Sequence, residues 1–381
     1  MEMAEQPLRS IREHFSSIED PRIERKKLHD LLNIIVIAIC GVISGAENWV
    51  DIAMYGNLKK EWLGQFLDLK NGIPSHDTFG RVFRLLKAEP FQECFLAWVK
   101  AVNELTQGQV IAIDGKELRR SMDERLGRRA IHMVSAWASE NRLVLAQQKV
   151  NEKSNEITAI PALLEMLEIA GCIVTIDAMG CQKEIAQRIT DQQGDYVLAV
   201  KENQEHLYED IEHLCQLYLR HERPMEYFHS YDKTVDKDHG RIEIRECWTL
   251  PASFYQPSVR GLGDWAKVKT LVMVRRERRL PKKTEIHTRY YISSLEGNAA
   301  RFLDVIRSHW GIENSVHWVL DMCFNEDQSR LHKDNGAENF AVIRHIALNL
   351  LRSEKTAKVG VKAKRLKAGW DDAYLLKVLS L

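Results

Sequence analysis

The chain has 381 residues, 45% of them hydrophobic and 28% charged, with Lys plus Arg and Asp plus Glu balanced at 54 each. That length predicts two domains or one elaborated domain, and a net charge of zero neither announces nor excludes a nucleic-acid partner, because attraction to phosphate is set by local patches. Seven scattered cysteines without a CxxC pair argue against a disulfide frame or a zinc ribbon and favour reduced thiols in a cytosolic protein.

The opening stretch MEMAEQPLRSIREHF has no apolar segment of the kind a secretory leader needs, so none is expected. Residues 1–105 read mainly as helix. Asp30 is placed to open a buried helix over the apolar run from Leu31 to Ser44, which is short of the ~20 residues a membrane span requires. Trp49, Ile52, Ala53 and Tyr55 fall near helical spacing, and Trp62, Leu63 and Phe66 repeat the pattern. After a break at Gly72 and Pro74, Ser75 is placed to cap a short helix bearing Arg81 and Arg84. Such a helix fits either the second helix of a helix-turn-helix on DNA or a solvated basic face.

From Val110 the texture turns to β. VIAIDG, IHMVSAWAS and LVLAQQKV predict an antiparallel meander. NEITAIPALLEMLEIAG then reads as a helix, CIVTIDAM as a buried strand, CQKEIAQRITDQQG as a helix and DYVLAVKEN as a strand. This order predicts a mixed α/β sheet whose helix-linked strands lie parallel. Residues 220–298 are too long for a connection, and RIEIRECWTL, VKTLVMVRRERR and TRYYISSL predict an inserted β-rich subdomain. Helix returns in NAARFLDVIRSHWGIENSVHWVLDMCF and in NGAENFAVIRHIALNLLRS. The tail KTAKVGVKAKRLK is expected to set Lys355, Lys358, Lys362 and Arg365 on one helical face, either solvated or against DNA backbone. The expected organisation is a helical, DNA-binding unit at 1–105, a core at 106–219 and 299–352, the insertion at 220–298, and a basic tail at 353–381.

The chemistry sits in acids. Asp114 follows four apolar residues and Asp177 the largely apolar run Ile173-Val174-Thr175-Ile176, and both precede small residues, so each reads as a carboxylate delivered at a strand's carboxyl end, where ligands gather in open α/β sheets. Singly, Asp114 with Gly115 reads as a turn pair, and Asp177 as a helix cap. His309, Glu313 and His317 are four residues apart on one helical face. Trp310, Ile312, Val316, Trp318, Val319 and Leu320 around them are expected to face a core, which puts Glu313 near the interior. Two aspartates and a glutamate offer hard oxygen donors suited to Mg²⁺ or Mn²⁺. Zinc on His309, Glu313 and His317 is disfavoured, because the spacing is not HExxH.

IAIDGKELRRS, EKSNEITAIPALLEML, TIDAMGCQKEIA, GDYVLAVKENQ, HGRIEIR, RYYISS and IRSHWGIENSVHWVLDMCFNEDQSR, in this order, resemble the insertion-sequence transposases of the H-repeat-associated (ISAs) group, in the DDE superfamily. The resemblance implies an RNase H-like core and a metal-binding triad of Asp114, Asp177 and Glu313. It also implies Mg²⁺- or Mn²⁺-dependent cleavage of double-stranded DNA at element ends, then attack of the freed 3′ hydroxyl on target DNA. Related transposases carry Tyr, Arg and Lys around the glutamate where Ile306, His309 and Leu320 stand here, so His309 becomes a candidate phosphate contact. Lys116, Arg119, Lys201, Asn203, His239 and Arg241 are further candidates for DNA contact, as is the run RRERRLPKK (Arg275 to Lys283). A homodimer on DNA, a nucleoid-associated cytoplasmic location and no membrane partner complete the expectation. The alternatives are a structure-selective nuclease of the same fold and a decayed or domesticated DNA-binding protein.

Overall fold

The computed structural model describes residues 9–102, 107–121, 130–150, 155–220, 228–238 and 240–380; the Arg119 side chain and His239 lie outside the described residues. Nine strands form one sheet: β1 (Val110–Leu118), β2 (Ile131–Ala138), β3 (Leu143–Lys149), β4 (Ile173–Ile176), β5 (Asp195–Val200), β6 (Ser230–Asp238), β7 (Arg241–Pro251), β8 (Thr270–Leu280) and β9 (Lys283–Ser293). Their spatial order is β3-β2-β1-β4-β5-β9-β8-β7-β6. β1, β4 and β5 run parallel, as their helical crossovers require, and every other neighbouring pair is antiparallel. The mixed α/β architecture expected from the element order is thus present, and the strands of 228–293 continue the same sheet through β9 on β5.

Local chemistry explains the helices. Asp30 accepts from Asn33 N at 2.9 Å and opens Leu31–Ile43, which is buried along nearly its whole length. Asn48 caps Trp49–Leu58, and Ser75 caps His76–Leu85 by accepting from Thr78 N at 3.3 Å. Helix Gly336–Ser353 ties the parts together by packing against Leu31–Ile43, His76–Leu85, Ala88–Val102 and β3. Its buried Asn349 both donates to Val144 O and accepts from Val144 N at 2.9 Å, satisfying the outer edge of β3.

The tail departs from expectation. Its helix begins only at Val361, with Gly360 as N-cap, so Lys355 and Lys358 precede it and do not share a face with Lys362 and Arg365. Arg365 is 5% exposed. Its guanidinium donates to Val42 O at 2.8 Å and to Cys323 O, and lies over the Phe324 ring at 4.2 Å. It satisfies carbonyls left free at the end of helix Leu31–Ile43, which is why a cation is buried there. No described helix is long and apolar enough to cross a membrane.

Candidate active site

β1 and β4 are parallel neighbours in the register Ile113 to Ile176. The next residue on each chain is an aspartate, so Asp114 and Asp177 emerge side by side at the same end of the sheet. β1 does not turn at Asp114 and Gly115 but continues to Leu118, paired with β2. Asp177 leaves β4 into a single 3₁₀ turn and accepts from Met179 N at 3.1 Å. Asn203 reinforces that turn by donating to Ala178 O at 2.7 Å.

Helix Ala299–Ile312 packs on β1 and β4 and passes at Ile312 into a π-helical turn, Glu313–His317. Wider turns of this kind recur at functional sites because they redirect side chains. Here Ile312, Val316 and Leu320 fill the core, whereas Trp310 and Trp318 are 42% and 57% exposed, against the expectation that both face inward. The core takes a single stripe from this helix, so the tryptophans fall outside it. Trp310 stacks instead under Arg289, 4.6 Å from ring centroid to guanidinium carbon. The Glu313 side chain is 57% exposed, so it stands on a cavity wall, not in the interior.

A cavity of about 770 Å³ is lined by Asp114, Asp177 and Glu313 together with Lys201, Asn203 and His309. One ligand atom each from Asp114, Glu313 and His317 lie within 4.8 Å of one another. His317 Nδ1 is 3.0 Å from Glu313 Oε2 and 3.6 Å from Asp114 Oδ2, bridging the two carboxylates. Burial pushes the Asp114 carboxyl up to about 6, partly relieved by His317 and reinforced by Asp177. Burial and Glu156 raise Asp177 as well. The hydrogen bond from His317 holds Glu313 below the usual carboxylate range. An acid pushed up by burial and a neighbouring acid is a group waiting for a cation.

The remaining candidates divide. His309 Nδ1 is hydrogen-bonded to Thr175 Oγ1 at 3.0 Å, and burial lowers its pKa to about 4, so the ring is neutral and anchors the helix to β4. Lys116, Arg81, Arg84 and Arg241 lie outside this cavity. Lys116 donates to Asp321 and, at 2.9 Å, to Glu326 Oε2. Arg241 opens β7 opposite Asp238. Within the run from Arg275 to Lys283, Arg276 pairs with Glu243, Arg279 with Glu277 and Lys283 with Glu285, which spends much of its charge inside the protein.

One group at the site escapes the sequence reading, and a second, His317, enters it only for its helical spacing and as a disfavoured zinc ligand. Glu156, first residue of helix Glu156–Glu165, has Oε1 2.6 Å from His132 Nε2 on β2, and its charge reaches both Asp114 and Asp177. A Cβ at Gly115 would overlap the Glu156 carboxylate and the His132 ring, so any larger residue after Asp114 must push that pair aside. His317 completes the acid pair, and its signal was the four-residue spacing from Glu313.

Acids gathered at the carboxyl ends of two parallel strands, in a mixed sheet ordered β3-β2-β1-β4-β5, make an RNase H-like fold with an acidic cleft. Residues 12–99 match the family described as DDE_Tnp_1-associated, and residues 105–350 match the Transposase DDE domain. The chain belongs to the DDE transposase family. It is 42% identical over 377 residues to "H repeat-associated putative transposase YhhI" of Escherichia coli strain K12, covering 98% of each chain. It is 43% identical over 285 residues to "Uncharacterized protein in dhlA 3'region" of Xanthobacter autotrophicus, covering 74% of this chain and 92% of that one. Among solved structures, a piggyBac transposase synaptic complex with hairpin DNA aligns with a TM-score of 0.41 at 10% identity, covering 98% of this chain and 78% of that chain.

Proposed function

We propose that the chain is a DNA transposase that binds the ends of its element, cleaves a DNA strand in a metal-dependent reaction and joins the freed 3′ end to target DNA. The observation that carries this reading is the meeting of Asp114, Glu313 and His317 within 4.8 Å, beside Asp177 on the adjacent strand. The donor set fits a divalent ion, because carboxylate oxygens suit Mg²⁺ and Mn²⁺ and an imidazole nitrogen is also acceptable to Mn²⁺. Asp114 and Glu313 would hold it, with Asp177, beside Asp114 on the adjacent strand, as the third acid. When bound, the ion supplies Lewis-acid stabilisation of phosphoryl oxygens and lowers the pKa of an attacking hydroxyl.

The chain's own residues prepare the cavity. Asn203 fixes the turn that aims Asp177, and His309 pins the helix of Glu313 to β4. Lys201 stands at the rim beyond β5, where a phosphate oxygen would pass. Double-stranded DNA is the substrate in this reading, a homodimer brings two ends together, and the protein works in the cytoplasm on the nucleoid.

The test is gel shift and nicking on one labelled fragment carrying an element end, with wild type beside Asp114→Asn, Asp177→Asn and Glu313→Gln, in Mg²⁺, Mn²⁺ and Ca²⁺. Nicking by wild type in Mg²⁺ or Mn²⁺, lost in all three variants while binding survives, supports the reading. Nicking that persists in the variants refutes the triad. Binding without nicking in any metal favours a DNA-binding protein, and nicking without strand transfer favours a nuclease.

A further inference from the structure

Away from the acidic cavity, helix His76–Leu85 and the segment from Arg330 to Gly336 enclose a groove of about 600 Å³. Its lining carries Arg81, Arg84, Arg330, His332, Lys333 and His76. Two acids at the groove are already engaged, Asp334 with Arg84 at 3.1 Å and Asp77 with His76 at 3.6 Å. Arg81, Arg330 and Lys333 are exposed and carry no ion pair among the described residues. Three uncompensated cations converge on one groove in a chain whose total charge is zero. A concentration of positive charge against a neutral background is the electrostatic mark of a polyanion site.

The groove is rigid, although its walls are some 250 positions apart in sequence. Asn339 Nδ2 donates to Phe83 O at 2.8 Å and Leu86 O at 2.9 Å, and Asn335 Nδ2 donates to Leu86 O at 3.0 Å. Beneath, Trp49 stacks on Phe83 at 4.9 Å and meets Phe340 edge-on at 4.7 Å. The bracing holds the backbone that carries the cations, so only their side chains must be ordered when a phosphate arrives. The groove is also tied to the acidic cavity. Arg330 follows Glu326 by four residues, at most ~14 Å of extended chain, and Glu326 is bonded to Lys116, two residues beyond Asp114.

Resting on the transposase reading above, we propose that this groove grips the phosphodiester backbone of the duplex whose end enters the acidic cavity. Arg81 and Arg84 from the N-terminal helix, with Arg330 and Lys333 from the chain that follows Glu313, form a single phosphate clamp. It reads no bases; it sets the register of the duplex relative to the carboxylates.

The test measures equilibrium binding across salt concentrations for wild type, the single variants Arg81→Gln, Arg330→Gln and Lys333→Gln, and the triple variant. Two duplexes are used, one carrying the DNA that borders the gene and one of equal length and unrelated sequence. Thermal melting of each variant verifies folding. Each lost contact lowers the slope of log K against log salt by ~0.9 on B-DNA, so the triple variant is expected to lose between two and three units of slope on both duplexes. Its affinity for each should fall by more than tenfold at physiological salt. Methylphosphonate substitution of single phosphates in the bordering duplex identifies the clamped positions. At those positions wild type loses affinity, and the triple variant loses no more.

A triple variant that melts like wild type and keeps the wild-type slope overturns the clamp. So does a slope that falls while no phosphate position shows shared loss, because the effect is then general charge and not contact. Wild type that binds neither duplex at any salt refutes the transposase reading, and the clamp with it.

Discussion

Lys116 stands two residues beyond Asp114 on β1, yet its ammonium points away from the acidic cavity to Glu326, 2.9 Å distant and 2% exposed. Burial pulls the lysine pKa down, and Glu326 with Asp321 more than offsets it. The pair fastens the segment after Glu313 to the strand that carries Asp114.

Lys116→Met should therefore be costly, because it leaves Asp321 without its cation and Glu326 with only the buried Arg344, 3.6 Å away. Removing one partner of a buried ion pair costs about 3–5 kcal/mol. Urea unfolding is expected to show a loss of that order, and Lys116→Met with Asp321→Asn should recover part of it, since Asp321 pairs with Lys116 whereas Glu326 is still needed by Arg344. A single variant as stable as wild type would remove Lys116 from this structural role.

Asp114 should lower the stability of the metal-free chain. Its carboxyl is raised to about 6 when folded, against about 3.9 in an unfolded chain. Between those values the folded state binds more protons, so stability falls as pH rises through the window and the loss is complete above it. The cost at pH 7 is on the order of 3 kcal/mol. Asp114→Asn should raise Tm in EDTA by about 2–4 °C at pH 7.5, with the gain vanishing near pH 4. An unchanged or lower Tm at pH 7.5 would contradict this.

Divalent-ion affinity should follow the same proton. Below about pH 6 the Asp114 proton must leave before an ion can bind. Affinity for Mn²⁺ should then climb by up to about tenfold per pH unit from pH 5 and flatten above pH 7. Glu313, held low by His317, adds no slope there. Calorimetric titration from pH 5 to 8 measures the curve, and a flat profile would separate Asp114 from the ion.

Gly115→Ala should deform the site from behind. The new methyl group collides with Glu156 and crowds His132, and overpacking of this kind costs about 1–3 kcal/mol. Adding Glu156→Ala makes room, so the double variant should melt closer to wild type than Gly115→Ala does. Equal melting of the two alanine variants would place the collision elsewhere.

What could be read from the sequence was what is encoded locally. The largely apolar runs before Asp114 and before Asp177 mark strands buried on both faces, and in the fold they become parallel neighbours. Asp30 and Ser75 cap helices as expected, because a short polar side chain beside its own backbone needs no distant partner. Long-range contacts were invisible. Glu156 reaches the site only because its helix packs against β2 and β3, and no spacing links it to Asp114. The same limit applies to Lys116 and Arg365, whose positive charge suggested phosphate, whereas Lys116 is consumed by Glu326, 210 positions on, and Arg365 by Val42, 323 positions back, and by Cys323. β6 was missed for a different reason: SYDKTVDKD has no apolar face, since it pairs on one side only.

That outer strand also protects the molecule from itself. A sheet of nine strands has two free margins, and an open margin templates the addition of another chain. β3 is shielded by helices, and β6 carries Asp232, Lys233, Asp236 and Lys237, which discourage stacking by a second copy. Stop the chain before β9, and the margin becomes β5, whose Tyr196, Val197, Leu198, Ala199 and Val200 form a mostly buried, uncharged run. Such a segment is prone to amyloid-like pairing. Shortened copies of this chain that end between β5 and β9 would therefore be aggregation-prone, which the completed sheet prevents by covering β5 with β9.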